Sequence, residues 1–466
     1  MAVTTGTRRS PRGSAGRPSK GTTSKAASSK RAASKGTASK GTASGRTPTA
    51  RAERPWLGQW NSTVTSYYLL VGATGLLLVI GLVMVLSSST VTSIAAGESP
   101  FAAFLVQGRY ALIGLPLMVI AARLPVRWYK RLAWPAMLVA LVLLVAVIFL
   151  GETVNGNQNW LPLGPLRFQP SELAKLALAV WLGAVLGRKQ HLLGSWGQAI
   201  VPGVVGLAAV LGLVMAGHDL GTALILALLG LGAYWVSGAP ASLLVVGGAG
   251  AAVVVGWAFI LNQGSSDRLT RILAAYGTCT DTQGQCYQSI HGMYGLGTGG
   301  LFGVGLGASR EKWKYLPEAH NDFIYSVIGE ELGLFGTLLV LALFVVLGIA
   351  MARVVRRHPD PFVKITTAAI GCWVVGQAFV NIGVVIGVLP VIGVPLPLVS
   401  AGGSALVTTM LALGVVISFA RSEPGAAEAL AARRSVVKRS VAVLSRRRRG
   451  GATGGGARRR GGDGGR

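Results

Sequence analysis

Apolar runs of about 17 to 25 residues recur from Val64 to Ala420. Each is long enough to cross about 30 Å of hydrocarbon at about 1.5 Å of rise per residue. They are read as ten helices, at about 64–87, 104–122, 133–150, 170–187, 199–216, 220–237, 241–261, 323–351, 363–388 and 403–420. Charge is scarce between them: residues 55–420 hold 18 basic and 12 acidic side chains, about 8% of positions, against about 25% in soluble domains. That excludes a water-soluble enzyme. The expected fold is an all-α polytopic membrane protein with ten transmembrane helices and one long extracytoplasmic loop, residues 262–322, between helices 7 and 8.

The charge missing from the middle collects at the ends. Of a formal net charge of +28, residues 1–54 contribute 13 Lys and Arg against one acid, and residues 421–466 contribute 13 against three. With an even number of spans, the positive-inside rule places both termini in the cytoplasm and sends Arg123, Arg127, Lys130, Arg131, Arg188, Lys189, Arg353, Arg356, Arg357 and Lys364 to inside loops. Residues 1–60 form a basic tail rich in Ser, Thr, Ala, Gly and Lys, with too few large apolar side chains to offset chain entropy, and are expected to be disordered. No apolar stretch follows its early basic residues, as a cleavable signal would require. The membrane domain spans 61–421. Residues 422–466 form a second basic tail, largely disordered apart from a short amphipathic surface helix over 425–445. Inside-facing Lys/Arg tails suit anionic lipid better than nucleic acid, and no nucleic-acid partner is expected.

The 262–322 loop places five cations, Arg268, Arg271, Arg310, Lys312 and Lys314, on the face that should be poor in them. Either they are simply solvated or they meet an anionic lipid headgroup. Cys279 and Cys286 flank a short polar stretch of the same loop; on an oxidising face they are a disulfide candidate, the alternative being two free thiols. Cys372 lies in an apolar run, where a thiol behaves as a small hydrophobe.

Ionisable residues inside spans are costly unless paired or wetted, so they mark sites. Glu172 and Lys175, in FQPSELAKL, stand at i and i+3 on one face of the fourth span and can pair. They are either a structural pair or a lysine presented to phosphate. Asp219, in HDLGTALI, either caps the sixth span or faces the site. In KYLPEAHNDFIYSVIGEELG a polar approach ends at Asp322 and an apolar helix begins at Phe323. Beside His320 and near Lys312 and Lys314, Asp322 is either a helix N-cap or a carboxylate placed to take a proton from a hydroxyl. No phosphate-binding P-loop, HExxH or GxSxG pattern is present, and the Gly-rich run from Gly297 to Gly307 lacks phosphate-loop spacing. Five scattered histidines give no zinc-site spacing.

Five motifs in order, NGNQNWLPLG, FQPSELAKL, HDLGTALI, YLPEAHNDFIYSVIGEELG and NIGVVIGVLPVIGVPLPLVSAGGSAL, resemble the SEDS family (shape, elongation, division and sporulation) over about residues 60–421. GLVMVLSSS and PLPLVSAGGSAL look more like its division branch than its elongation branch. The resemblance implies an inverting, nucleotide-independent peptidoglycan glycosyltransferase that polymerises lipid II from an undecaprenyl-pyrophosphate-linked glycan at the outer face of the bacterial cytoplasmic membrane, enriched at the division septum. It implies Asp322 as the catalytic base, with Lys175, Glu172, Arg310, Lys312, His320 and Asp219 binding substrate. No dedicated cofactor is implied; a divalent cation, Mg or Mn, held partly by substrate oxygens, is a candidate, and its identity is unassigned. The implied partners are a class B penicillin-binding protein transpeptidase and other divisome proteins, the latter through the cytoplasmic tails. Prenyl chains would lie along small-residue faces of spans six, seven and ten.

Two positions depart from the family pattern: Asn159 stands where a basic residue is usual, and His218 where a proline is usual. The aromatic-rich loop after span seven is replaced by the stretch around Cys279 and Cys286. Two other functions suit the same residues, a lipid II flippase and a non-catalytic divisome scaffold.

Overall fold

Prolines and carboxylates set several of the helix starts. The computed structural model describes residues 64–154, 157–163, 166–260, 287–313, 315–426 and 428–431. Helix α1 is Thr65–Ala95 and α2 is Ala102–Arg123. Leu124 is then forced into extended geometry (ψ 136°) ahead of Pro125, and α3, Val126–Leu150, begins directly after that proline. Helix α4, Pro170–Arg188, and α10, Pro361–Val385, carry proline at their first position, where its missing N–H costs nothing. Asp360 caps α10 by accepting from Phe362 N at 3.1 Å. Between them run α5 (Trp196–Ala216), α6 (Leu220–Ser237), α7 (Ala241–Ile260), α8 (Tyr287–Gly299) and α9 (Ile324–Arg357). Helix α11 is Gly403–Arg421.

Among the described residues nine of these helices are long and apolar enough to cross a membrane; α7 stands at the remaining expected span. The polytopic all-α fold is therefore the one the hydropathy pattern requires. Helix α4 is the hub, with 89% of its most apolar window buried, whereas α2, α3 and α5 are 17 to 28% buried and turn most of their surface outward. Small residues allow this centrality: a Cβ on Gly183 would collide with the Thr366 hydroxyl of α10, and one on Gly206 with the Trp181 ring. The small-residue faces of spans six and ten are likewise closed by neighbours: Cys372 fills the space at Gly232, and Met118 that at Gly414. In span seven, α7, no described atom lies within 4 Å of a Cβ placed on Gly247, Gly248 or Gly250. At Gly232 and Gly414 the expected small-residue faces of spans six and ten are thus occupied by protein.

Several boundaries differ from expectation: α3 begins at Val126 rather than 133, directly after Pro125, and α9 runs on to Arg357 rather than ending at 351. Helix α1 runs on to Ala95 because Ser89, Thr90 and Thr92 return their hydroxyls to the Val85, Leu86 and Ser89 carbonyls at 2.6, 2.5 and 2.8 Å, so polar side chains are accommodated without leaving the helix. The connection before α4 is a three-stranded antiparallel sheet, β1 (Glu152–Val154), β2 (Asn157–Leu163) and β3 (Leu166–Phe168), in the order β1-β2-β3. The 262–322 loop contains α8, which docks on α9 through Ser326 Oγ donating to Gly292 O at 2.5 Å. Residues 1–63, 427 and 432–466 of the tails and the Cys279–Cys286 stretch lie outside the described residues.

Helix α9 is broken at Gly333 (φ 68°, ψ −164°), a conformation open essentially to glycine alone. There the chain 299–305 packs backbone to backbone: Val304 N donates to Glu330 O at 2.9 Å and Leu334 N to Gly300 O at 2.9 Å. A Cβ on Gly333 would stand 2.5 Å from Leu301 O and closer still to Gly303 N. Gly333→Ala is expected to cost more than about 2 kcal/mol, read as a lowered unfolding midpoint in detergent, whereas Gly250→Ala, facing open space, leaves that midpoint in place.

The two ends of the bundle differ in charge. One end gathers the helix termini bearing Arg123, Lys130, Arg188, Arg356, Arg357 and Arg421, tied by Lys130 to Asp360 at 2.6 Å and by Arg421 Nη1 donating to Ala122 O at 2.6 Å. The other end carries the sheet, α8, the approach to α9 and the segment 386–402.

Candidate functional site

Asp322 lies at this second end, in a turn whose backbone is held from several sides. Asn321 N and Phe323 N both donate to Glu318 O, at 3.0 and 3.4 Å, and Glu318 is left-handed (φ 54°). The carbonyls of 320–322 are then taken one by one. Ala401 N donates to His320 O at 2.9 Å, Ser400 Oγ to Asn321 O at 2.6 Å, and Asn381 Nδ2 to Asp322 O at 2.7 Å. Leu398, also left-handed (φ 66°), belongs to the loop that makes these contacts. Non-glycine residues in that region cost of order 1–3 kcal/mol each and persist only where surroundings over-determine them.

The residue preceding α9 is Phe323, and no side chain caps that helix. The carboxylate of Asp322 is therefore not used as an N-cap. Half-buried, it makes no hydrogen bond or ion pair among the described residues, and Oδ2 lies 3.5 Å from where a Cβ on Gly393 would stand. Burial away from water, reinforced by the charge of Glu318, raises its pKa from 3.8 to about 7. The imidazole of His320 is pushed down, chiefly by burial, with Glu318 opposing. Of the cations expected near Asp322, Lys314 lies outside the described residues and Lys312 is engaged elsewhere.

Lys175 and Glu172 form an internal ion pair at 2.8 Å, with side chains 2% and 5% exposed. The ammonium also donates to Gln377 Oε1 at 3.3 Å and lies 5.0 Å from the Trp373 ring centre. Lys312 is similarly enclosed. It pairs with Glu331 at 3.0 Å and donates to Gly307 O at 2.7 Å and to Ser87 O at 3.3 Å, while Ser87 Oγ donates to Glu331 at 2.6 and 2.7 Å. Glu330, next in sequence, accepts from Ser309 Oγ, from Arg310 N at 2.8 Å and from Glu311 N at 3.4 Å. Two successive carboxylates of α9 thus clamp the 307–312 loop, leaving the Arg310 side chain exposed. Direct contact of Lys175 or Lys312 with a substrate anion would require these pairs to open.

Asp219 is the N-cap of α6, accepting from Thr222 N at 2.9 Å and Thr222 Oγ1 at 2.8 Å. It also accepts from Asn159 Nδ2 at 2.9 Å and Gln169 Nε2 at 3.2 Å, tying the sheet to α6. Asn159 thus makes a neutral contact where a basic residue would make an ion pair. His218 adopts φ 64° and donates its N–H to Met215 O at 3.0 Å, neither of which proline can do.

The sequence reading missed Glu330, Glu331, Gln377, Asn381 and Ser400. The two glutamates stood in view within GEELG at the head of an apolar span, and Gln377 and Asn381, four apart, were the amide counterpart of the same signal. As for a metal, among the described residues no three His, Cys, Asp or Glu side chains converge. The described donors by themselves do not form a protein-built Mg or Mn site.

The comparisons with known proteins agree with this architecture. The family model described as a cell cycle protein, FtsW/RodA/SpoVE, matches residues 68–424. A protein of Mycobacterium tuberculosis named probable peptidoglycan glycosyltransferase FtsW is 38% identical over 381 residues, covering 81% of this chain and 72% of its own length. A Geobacter sulfurreducens protein of the same name is 35% identical over 348 residues, covering 74% and 92%. The crystal structure of the Thermus thermophilus rod shape determining protein RodA superposes with a TM-score of 0.57 at 27% identity, over 76% of this chain and 97% of that one. A chain from a structure concerned with the coordination of polymerization and crosslinking by a peptidoglycan synthase complex gives 0.62 at 28% identity, over 76% and 96%. Matched along nearly the whole membrane domain, the chain belongs to the SEDS family, the FtsW/RodA/SpoVE cell cycle proteins, whose members include peptidoglycan glycosyltransferases.

Proposed function

We propose that the chain polymerises lipid II into glycan strands at the outer face of the cytoplasmic membrane, as a division-branch, FtsW-like glycosyltransferase. The observation that carries this reading is Asp322: a carboxylate free of partners among the described residues, with a pKa near 7, at the end of the bundle opposite the basic one. The positive-inside rule assigns the basic end, and with it both termini, to the cytoplasm, which leaves Asp322 outside. GLVMVLSSS, PLPLVSAGGSAL and the names of the curated relatives support the division branch and a place at the septum.

In this mechanism Asp322 takes the proton of the acceptor's 4-hydroxyl as that oxygen bonds to the donor's anomeric carbon. The bond from that carbon to the pyrophosphate oxygen breaks on the opposite side, its electron pair leaving with undecaprenyl pyrophosphate, and configuration inverts. A base with a pKa near the working pH is suited to this transfer. Arg310, exposed while Glu330 holds its backbone, is the cation best placed by its surroundings to meet the departing pyrophosphate. His320 shares the Asp322 turn and lines the acceptor side. A class B penicillin-binding protein would receive the strands for crosslinking, and the basic tails would contact anionic lipid and divisome proteins.

The test is polymerisation of defined lipid II by the purified chain in detergent. Glycan strands longer than the dimer are expected. A preparation that moves labelled lipid II across vesicles yet makes no strand would instead be a flippase, and one that does neither would be a scaffold.

A further inference from the structure

The ion pair of α4 is connected to the catalytic turn by side-chain amides of α10. Lys175 Nζ bonds Glu172 and then Gln377 Oε1, which also accepts from Trp373 Nε1 at 3.1 Å. Gln377 Nε2 donates to Pro395 O at 2.8 Å. One helical turn on, Asn381 Nδ2 donates to both Val394 O, at 2.8 Å, and Asp322 O, at 2.7 Å. Ser400 Oγ accepts from Leu396 N at 2.8 Å while donating to Asn321 O. The segment 393–396 is therefore pinned by α10 on one side. On the other it bears on the catalytic turn, with Gly393 against Asp322 Oδ2.

The members of this chain of bonds are internal polar groups: Lys175, Glu172, Gln377 and Asn381 are all buried, and of the two amides only Asn381 leaves an atom, its Oδ1, without a partner among the described residues. Neutral amides at positions four apart in an apolar helix have no role as lipid-facing residues, and both spend their N–H donors on carbonyls that no regular secondary structure satisfies. The geometry points to Gln377 and Asn381 as positioning residues that transmit the Glu172–Lys175 pair to Asp322, so that the pair acts by fixing the catalytic carboxylate through the 393–396 segment rather than by touching pyrophosphate. The inference rests on the catalytic reading of Asp322 given above.

Gln377→Met and Asn381→Leu keep side-chain volume and remove the amide donors. In the full-length protein extending lipid II, each is expected to lower kcat by at least about tenfold, since a displacement of about 1 Å at the reacting groups is enough for a loss of that order. KM for lipid II should stay within about threefold and the midpoint of the pH–rate curve should shift, because the carboxylate's surroundings change. The double variant should lose little beyond the worse single variant, as members of one network do. A raised KM with kcat preserved, an unchanged kcat, or losses that multiply would each overturn the proposal. Where one variant does not fold, the other decides; Gln377→Asn, which shortens the reach to Pro395 O, is the milder third. Asp322→Asn in the same assay separates the two levels. If it polymerises normally the catalytic reading fails, whereas if it is inactive and the Gln377 and Asn381 variants match the parent, only the positioning role fails.

Discussion

Asp322→Asn is expected to lower the rate of strand formation by about 10²–10⁴-fold, the range general acid–base catalysis supplies, in protein that remains folded. The change is isosteric and the lost charge had no hydrogen-bond partner among the described residues, so little of the fold depends on it. The parent's rate should climb about tenfold per pH unit up to about pH 7 and then level off, as the carboxyl ionises. Stability should run the other way. The folded-state pKa of about 7 lies above the ordinary 3.8, so between those values the folded chain binds the extra proton and loses stability as pH rises. Below about pH 4 the carboxyl is protonated whether folded or not. Hence Asp322→Asn should raise the unfolding midpoint at pH 8 and leave it unchanged at pH 4, measured by thermal unfolding in one detergent. A variant that is inactive but destabilised at pH 8 would mean that Asp322 is held by contacts its surroundings do not show.

Glu331→Ala should produce the largest loss of stability, about 3–5 kcal/mol, because it leaves Lys312, 3% exposed, as an unpaired charge inside the protein. Ser87 would lose its acceptor at the same time, and with it the side-chain hydrogen bond that ties α1 to α9. Replacing both charges, Lys312→Met with Glu331→Leu, should recover most of the loss, since an apolar pair of similar volume has no desolvation cost. Chemical unfolding of the three variants measures the coupling directly. A single-variant cost below about 1 kcal/mol would mean that water reaches the pair. Activity should fall with Glu331→Ala as well, through displacement of Arg310 rather than of Asp322.

Much of the architecture was legible because lipid imposes a single rule on the chain. Runs such as 133–150 admit no reading other than a span, and Pro170 marks a helix start without reference to tertiary contacts, whereas the start of α3 after Pro125 lies seven residues ahead of where hydropathy alone put it. The end of α1 was not legible. Ser88, Ser89 and Thr90 lower the hydropathy, yet their hydroxyls bond back to the helix and let it continue. The sheet at 152–168 was missed for a related reason, since its strands of three, seven and three residues are too short to show alternation and depend on contacts such as Gln158 N donating to Gly217 O.

The candidate site divides in the same way. Glu172, Lys175 and Asp322 stood out because a charge in or beside an apolar span is expensive wherever it ends up. Sequence alone left each with two roles: the Glu172–Lys175 pair could be structural or present its lysine to phosphate, and a carboxylate at a helix start such as Asp322 is chemically fit both to cap and to accept a proton. Only the folded chain distinguishes Asp219, whose oxygens are taken by Thr222, Asn159 and Gln169, from Asp322, whose oxygens are free of partners among the described residues. What the sequence by itself determined is that the chain spans a membrane many times and which of its ends is basic, since hydropathy and charge are summed along the chain. Which charges are spent on one another and which stays free was decided by the tertiary structure alone, because a hydrogen bond depends on distances between residues as far apart as Asp322 and Asn381, and no local pattern encodes them.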